Sequence, residues 1–169
     1  MPIRHLTTLA VLLLLTGLLA GCERYPQDPH HTLDNVLQRG VLYVGAVENP
    51  PWVIITPDKK LSGIEVELIR DFAKELGVTI QWYPGSAQNN LFALKEYKRD
   101  IVVGGFKTTN PWKKHVAFSI PYYNEQHAMA VTSGENAFLM QLEAFLLNNV
   151  EKTAIKRRLR QTSAKVGGK

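Results

Sequence analysis

A single α/β lobe, with a mostly parallel sheet flanked by helices, is the fold class this sequence predicts. Three observations carry it. Short apolar runs alternate with helical stripes from Val41 to Gly105 in the order β, α, β, α, β; the runs and stripes stop at glycines; and the chain past its first 21 residues is long enough for one hydrophobic core but not two. Strand-helix-strand alternation of this kind implies right-handed crossovers between parallel strands.

Leu33, Val36 and Leu37 lie at helical spacing and Gly40 closes the segment, which predicts a short helix with a glycine C-cap. Val41 to Val47 is β-branched and apolar enough for a buried strand, and Asn49-Pro50-Pro51-Trp52 breaks it into a loop. After a turn at Asp58 to Gly63, the stripe Ile64, Val66, Leu68, Ile69, Phe72, Ala73 and Leu76 predicts a helix ended by Gly77. Val78 to Tyr83 alternates as a strand, and Leu91, Phe92, Leu94 and Tyr97 mark the next helix. Asp100 to Gly105 is an apolar run stopped by two glycines, as expected of a buried parallel strand that ends at a ligand-facing loop. Val116 to Phe118 and His127 to Thr132 are further extended pieces, Phe138 to Leu146 is an apolar helical face, and Ile155 and Leu159 continue a final basic helix.

The first residues have the order of an export signal: Arg4 and His5, the apolar run Leu6 to Leu15, then small residues up to Gly21. That run is too short for a membrane span, which needs about 20 apolar residues. Leu19-Ala20-Gly21-Cys22 matches the lipobox of bacterial lipoproteins, and Cys22 is the only cysteine, so no internal disulfide forms. The expected organisation is a signal peptide over 1–21, a lipidated cysteine and tether over 22–32, the α/β lobe over 33–160 and a disordered basic tail over 161–169. The net charge of +5 arises in the last 19 residues, where seven Lys and Arg side chains face Glu151 alone. A basic tail on a near-neutral lobe does not indicate nucleic acid as a partner. His30 and His31 have no Cys or carboxylate at ligand spacing, so neither metal nor cofactor is expected.

Several segments then carry a resemblance. Leu37 to Ala46 resembles the L-x-x-G-x-L-x-V-G opening of family 3 extracellular solute-binding proteins, and Asn49 to Trp52 their x-P-P-[FW] loop. Ser62 to Leu68 resembles G-F-D-V-D-L, Asp71 to Val78 their A-x-x-L-G-V, Asp100 to Gly105 D-x-[IV]-x-G-G, and Val116 to Tyr123 V-D-F-S-x-P-Y-Y. The resemblance implies one lobe of the type II periplasmic-binding-protein fold and capture of a small polar solute, often an amino acid. It implies Trp52 as an aromatic wall, Glu65 near the cleft mouth, and the backbone from Gly105 with Thr108 and Thr109 as hydrogen-bonding groups. It also implies an ABC transporter permease or a sensor receptor as partner, at a bacterial membrane on its periplasmic or extracellular side.

Two departures qualify those expectations. The family's T-x-T-P-E-R segment ends in an arginine that clamps the solute carboxylate, whereas here Trp112 stands in that place and Lys113 and Lys114 offer only point charges. The segment from Tyr122 to Gln126 leads at once into His127 to Val131, as though the second lobe were missing. An enzyme is the competing class, with Glu65 or Glu96 as acid or base. No second carboxylate, Ser-His-Asp set or Cys-His set is placed by sequence, and His115 and His127 read as a surface and a strand residue, so no catalytic residue is assigned. A third class is a docking lipoprotein that uses its bare lobe surface or the basic face of Lys152, Lys156, Arg157 and Arg160.

Overall fold

A computed structural model describes residues 28–124 and 126–149. The expected signal peptide, Cys22, the expected tether up to residue 27, and the segments read from sequence as a final basic helix and a tail lie outside the described residues.

The elements run in chain order as α1 (Thr32–Arg39), β1 (Val41–Ala46), β2 (Ile54–Ile55), β3 (Leu61–Ser62), α2 (Ile64–Leu76), β4 (Thr79–Pro84), α3 (Ala87–Lys95), β5 (Ile101–Lys107), a 3₁₀ turn (Pro111–Lys114), β6 (Ala117–Phe118), β7 (His127–Val131) and α4 (Asn136–Asn149). The main sheet has the order β4-β1-β5-β7-β6. β1 runs parallel to β4, from Val41 opposite Thr79 to Ala46 opposite Pro84, and parallel to β5, from Val44 opposite Ile101 to Ala46 opposite Val103. β7 is antiparallel to both β5 and β6, so the sheet is parallel in its first half and antiparallel in its second. β2 and β3 form a separate small hairpin.

Sequence and structure differ at both ends of α3, which stops at Lys95 and leaves Tyr97 outside it, and in the β2–β3 hairpin. α3 begins at Ala87, four residues before the apolar stripe, because the Ser86 side chain accepts from Asn89 N and caps it. Its first turn, Ala87 to Asn90, is polar apart from Ala87, and a reading of apolar spacing passes over it. The glycine stops at Gly40 and Gly77 are both left-handed C-caps, with φ of 66° and 71°.

The two faces of the sheet have separate cores. Ile101 and Val103 of β5 join Phe72 of α2 and Phe138 and Phe145 of α4, with Phe72 5.2 Å from Phe145 between ring centroids. Each such ring contributes about 1.5–3 kcal/mol on full burial. On the other face Val102 and Phe106 pack against Leu91 and Leu94 of α3 and against Val116. This period-two division of β5 is what a strand covered on both sides requires.

The N-terminal segment is tied to the last helix by reciprocal capping. The Glu135 carboxylate accepts from His30 N (3.0 Å) and Thr32 N (2.8 Å), while Asp28 accepts from Ala137 N (2.7 Å) at the start of α4. Residues 28–31, read from sequence as part of the tether, are thus a turn hydrogen-bonded to the lobe. β7 ends with Val131 opposite Ile101, the first residue of β5. Asp28 therefore enters at the base of the sheet, where β1, β4 and β5 begin.

Candidate functional site

The opposite end of the sheet, where β1, β4 and β5 finish, carries the residues that the sequence singles out. Gly105 lies there with φ of 63°, and a Cβ on it would stand 2.3 Å from Trp52 Cδ1. Only glycine permits both the left-handed turn and the indole against it. Trp52 is 8 % exposed and stacks on His127 at 4.1 Å, with Tyr123 at 5.3 Å and Tyr122 at 6.0 Å. The loop that carries Trp52 includes a cis Pro50–Pro51 bond. Its backbone also serves α2, because Pro51 O accepts from Ile64 N (3.1 Å) and Trp52 O from Glu65 N (3.0 Å).

Glu65 lies behind the rim, next to Gly104 and Gly105. Its side chain is fully buried, because the second residue of α2 faces the sheet rather than solvent. One carboxylate oxygen accepts from Gly104 N (2.6 Å) and Gly105 N (2.8 Å), and the other accepts from the Tyr122 hydroxyl. Burial pushes its pKa up, the Tyr122 hydroxyl and then the Gly105 and Gly104 amides pull it back, and it settles at about 7. Tyr122 is raised well above its ordinary value by burial and by the neighbouring Glu65.

The consequence for an incoming carboxylate is direct. Two sources of amide N–H at this end, the first turn of α2 and the Gly104–Gly105 corner, are occupied by the protein's own acceptors. What faces outward is Thr109, which is exposed, half-buried Thr108, Tyr123 and His127, and the exposed Lys107 cation. Thr108 N is held by Gln126 O at 2.9 Å, and Asn49 Nδ2 donates to Gly104 O at 2.8 Å, so the strand end is fixed from both sides. His127 Nδ1 is buried without a partner among the described residues, and burial lowers the His127 pKa, with Gly105 opposing and Lys107 adding to the fall.

The structure thus brings Trp52, Glu65 and Gly105 together, with Thr108 and Thr109 on the exit of β5. Trp112 does not join them. Asn110 caps its amide at 2.9 Å, and its half-buried ring packs against the other face's core, near Val116 and Phe118. Asn49, Tyr122, Tyr123 and His127 belong to the rim, but sequence reading assigned them no binding role. The quoted N-P-P-W and P-Y-Y segments were the available signal. A cavity of about 120 Å³ lined by Arg39, Tyr97, Arg99 and Asp100 lies at the base, away from this rim.

Comparison with known proteins places this geometry. A model of the bacterial extracellular solute-binding proteins, family 3, matches residues 42–166. Membrane-bound lytic murein transglycosylase F of Vibrio cholerae is 35% identical over 123 residues, which is 72% of this chain and 23% of that protein. L-cystine-binding protein TcyJ of Escherichia coli is 32% identical over 124 residues, 72% of this chain and 47% of its own. The chain therefore spans from a quarter to a half of the length of these relatives. Among solved structures, an arginine-bound form of domain 1 from TmArgBP superposes with a TM-score of 0.63 at 28% identity, covering 68% of this chain and 98% of that one. An ancestral cationic amino acid solute-binding protein, at 17% identity and a TM-score of 0.70 over 78% of this chain and 99% of its own, shares the fold.

Proposed function

Because the chain belongs to the bacterial extracellular solute-binding proteins, family 3, we propose that it is a membrane-anchored single lobe that captures a small polar, amino-acid-like solute on the rim described above. Trp52 with Gly105 would form the floor, and Thr108, Thr109 and the aromatic edge of Tyr123 and His127 the contacts. The observation that carries this reading is the likeness, at 28% identity, to a single domain in an arginine-bound form. That relative makes a one-lobed binder a reasonable model for a chain whose β6 passes through a short turn into β7, with Tyr122 N donating to His127 O, and no second lobe between them.

A one-sided site buries less of its ligand than a closed cleft, so binding is expected to be weak. Isothermal titration of residues 23–169 with L-arginine and L-cystine tests it. Saturable heat with one of them, weakened at least about tenfold by Trp52→Ala or Thr109→Ala, supports the rim. No heat up to about 10 mM, a Kd regime beyond any useful capture, from a folded sample sinks it.

The anchor in this reading is lipid on Cys22, for which palmitate incorporation lost in Cys22→Ala is the test. Asp28 lies six residue steps from Cys22, a reach of about 20 Å when extended. Since Asp28 enters at the base of the sheet, the anchored lobe would hold its rim away from the bilayer, towards a transporter permease or receptor in the periplasmic or extracellular space. A second reading rests on the 35% identity to transglycosylase F: the chain would correspond to a ligand-sensing segment of a wall-cleaving protein. We propose no catalytic role for Glu65, which three donors engage, or for Glu96, which closes α3 towards the base. Binding of soluble murein fragments in preference to amino acids would favour the second reading.

A further inference from the structure

We propose that Glu65 is a positioning residue of the rim, a latch whose proton determines how firmly the Gly104–Gly105 corner is held and so how well the rim takes a solute. The inference rests on the rim being the solute site, and its geometry comes from three elements. The carboxylate is carried by α2, its Oε2 holds two successive amides at the end of β5, and its Oε1 holds Tyr122 in the segment that leads into β7. No solvent reaches it. Trp52 lies against both Gly105 and Tyr122, so whatever moves the corner also moves the indole.

The chemistry of the two protonation states differs in a definite way. As a carboxylate, Glu65 is an acceptor only, and all three bonds are charge-assisted. As an acid, it donates its own O–H towards Tyr122, the Tyr122 hydroxyl turns to become the acceptor, and the two glycine amides are left on a neutral carbonyl oxygen. The corner is then held more weakly. Burial places this change at about pH 7, inside the range a bacterial envelope meets.

Other groups nearby titrate elsewhere. The Tyr122 phenol stays protonated, being raised well above its usual range. His127, from β7, faces Gly105 and Trp52, and its pKa lies below its ordinary value of 6.5 through burial, with a smaller push from Lys107 of β5. A transition near pH 7 at the corner therefore belongs to Glu65, and one below pH 6.5 to His127.

The test follows the backbone amides of Gly104 and Gly105 and the Trp52 indole N–H by NMR on the full chain between pH 5.5 and 8.5. All three are expected to move with a common midpoint near 7, to lose that transition in Glu65→Gln and to keep it in His127→Gln. Tyr122→Phe removes a donor that favours the carboxylate, so it moves the midpoint to higher pH. This variant carries the test should Glu65→Gln not fold. Resonances that stay still over this range, or a midpoint that Tyr122→Phe leaves in place, overturn the latch. L-arginine titrated at pH 6 and pH 8 is the second arm, with binding expected to be about tenfold tighter at pH 8, a coupling of ordinary allosteric size. Heat of equal affinity at both values overturns the coupling. No heat at either, with the amides still titrating, leaves the latch standing and removes arginine as the solute.

Discussion

Two carboxylates are buried at opposite ends of the same region of sheet, and their surroundings differ in kind. Asp100, at the base before β5, is 4 % exposed, pairs with the Arg39 guanidinium and accepts from Tyr43 N at 2.7 Å. Glu65, at the rim end of β5, is fully buried and, among the described residues, meets neutral donors. Burial raises both pKa values. At Asp100 the Tyr43 amide, Arg39 and Arg99 oppose that rise, and at Glu65 only a hydroxyl and two amides do. A formal positive charge compensates a buried carboxylate in a way that dipoles do not. Cations thus offset part of the burial at the base of the lobe, while at the rim dipoles alone oppose it and the Glu65 pKa settles at about 7.

The largest test of this contrast is at the corner that Glu65 holds. Gly105→Ala forces a Cβ to within 2.3 Å of the Trp52 ring and strains a φ of 63°. It is expected to lower stability by about 3 kcal/mol, a typical cost of overpacking combined with backbone strain, read as a fall in the urea midpoint and a shift in Trp52 emission. An unchanged midpoint would mean that the rim is looser than the contact implies.

Next in size is a dependence on pH. The folded pKa of Glu65, at about 7, lies above its ordinary 4.5, so between those values the native state binds more protons than the unfolded chain. Stability contributed by this group is fully present below pH 4.5, declines as pH rises through 7, and then levels off. The decline amounts to about 3 kcal/mol at about 1.36 kcal/mol for each pH unit between the two pKa values. Urea unfolding at pH 5 and pH 8 measures it, and Glu65→Gln should flatten the profile. A stability that rises across this window would contradict the assignment.

Asp100→Asn sharpens the comparison from the other end. It strips the Arg39 guanidinium, whose side chain is 28% exposed, of its ionic partner. A cost of about 2 kcal/mol is expected, below that of breaking a fully buried pair because solvent reaches the arginine. At pH 8 Glu65→Gln should be the milder of the two substitutions, since it removes a buried charge that had no cation. The smallest effect belongs to Ser86→Ala at the cap of α3, about 1 kcal/mol, a surface change that should leave the pH profile as it was.

Much of the lobe was legible because its signals are local. Gly40 and Gly77 end helices whose apolar spacing is visible within a few residues, and the unbroken apolar run Ile101 to Val103, stopped by two glycines, announces a strand covered on both faces. The start of α3 was not legible, because its first turn carries polar side chains and its one signal is a serine that could equally begin a loop. The site was legible in part. Trp52, Gly105 and Glu65 are legible as site residues, but the full burial of Glu65 is not, since a carboxylate in a helix's first turn normally faces water. Trp112 was placed by its position along the chain, whereas the Asn110 cap turns its ring to the opposite face of the sheet.

From the sequence alone came the order of the helices and of the main-sheet strands, the glycine stops and the family pattern, because each depends on residues a turn or two apart; the small β2–β3 hairpin did not. The tertiary structure alone decided that Glu65 meets Tyr122, 57 residues along the chain, and that the same carboxylate takes the Gly104 and Gly105 amides. Burial and hydrogen bonding between distant segments exist only once the sheet has brought those segments together, and a carboxylate's charge at neutral pH depends on both.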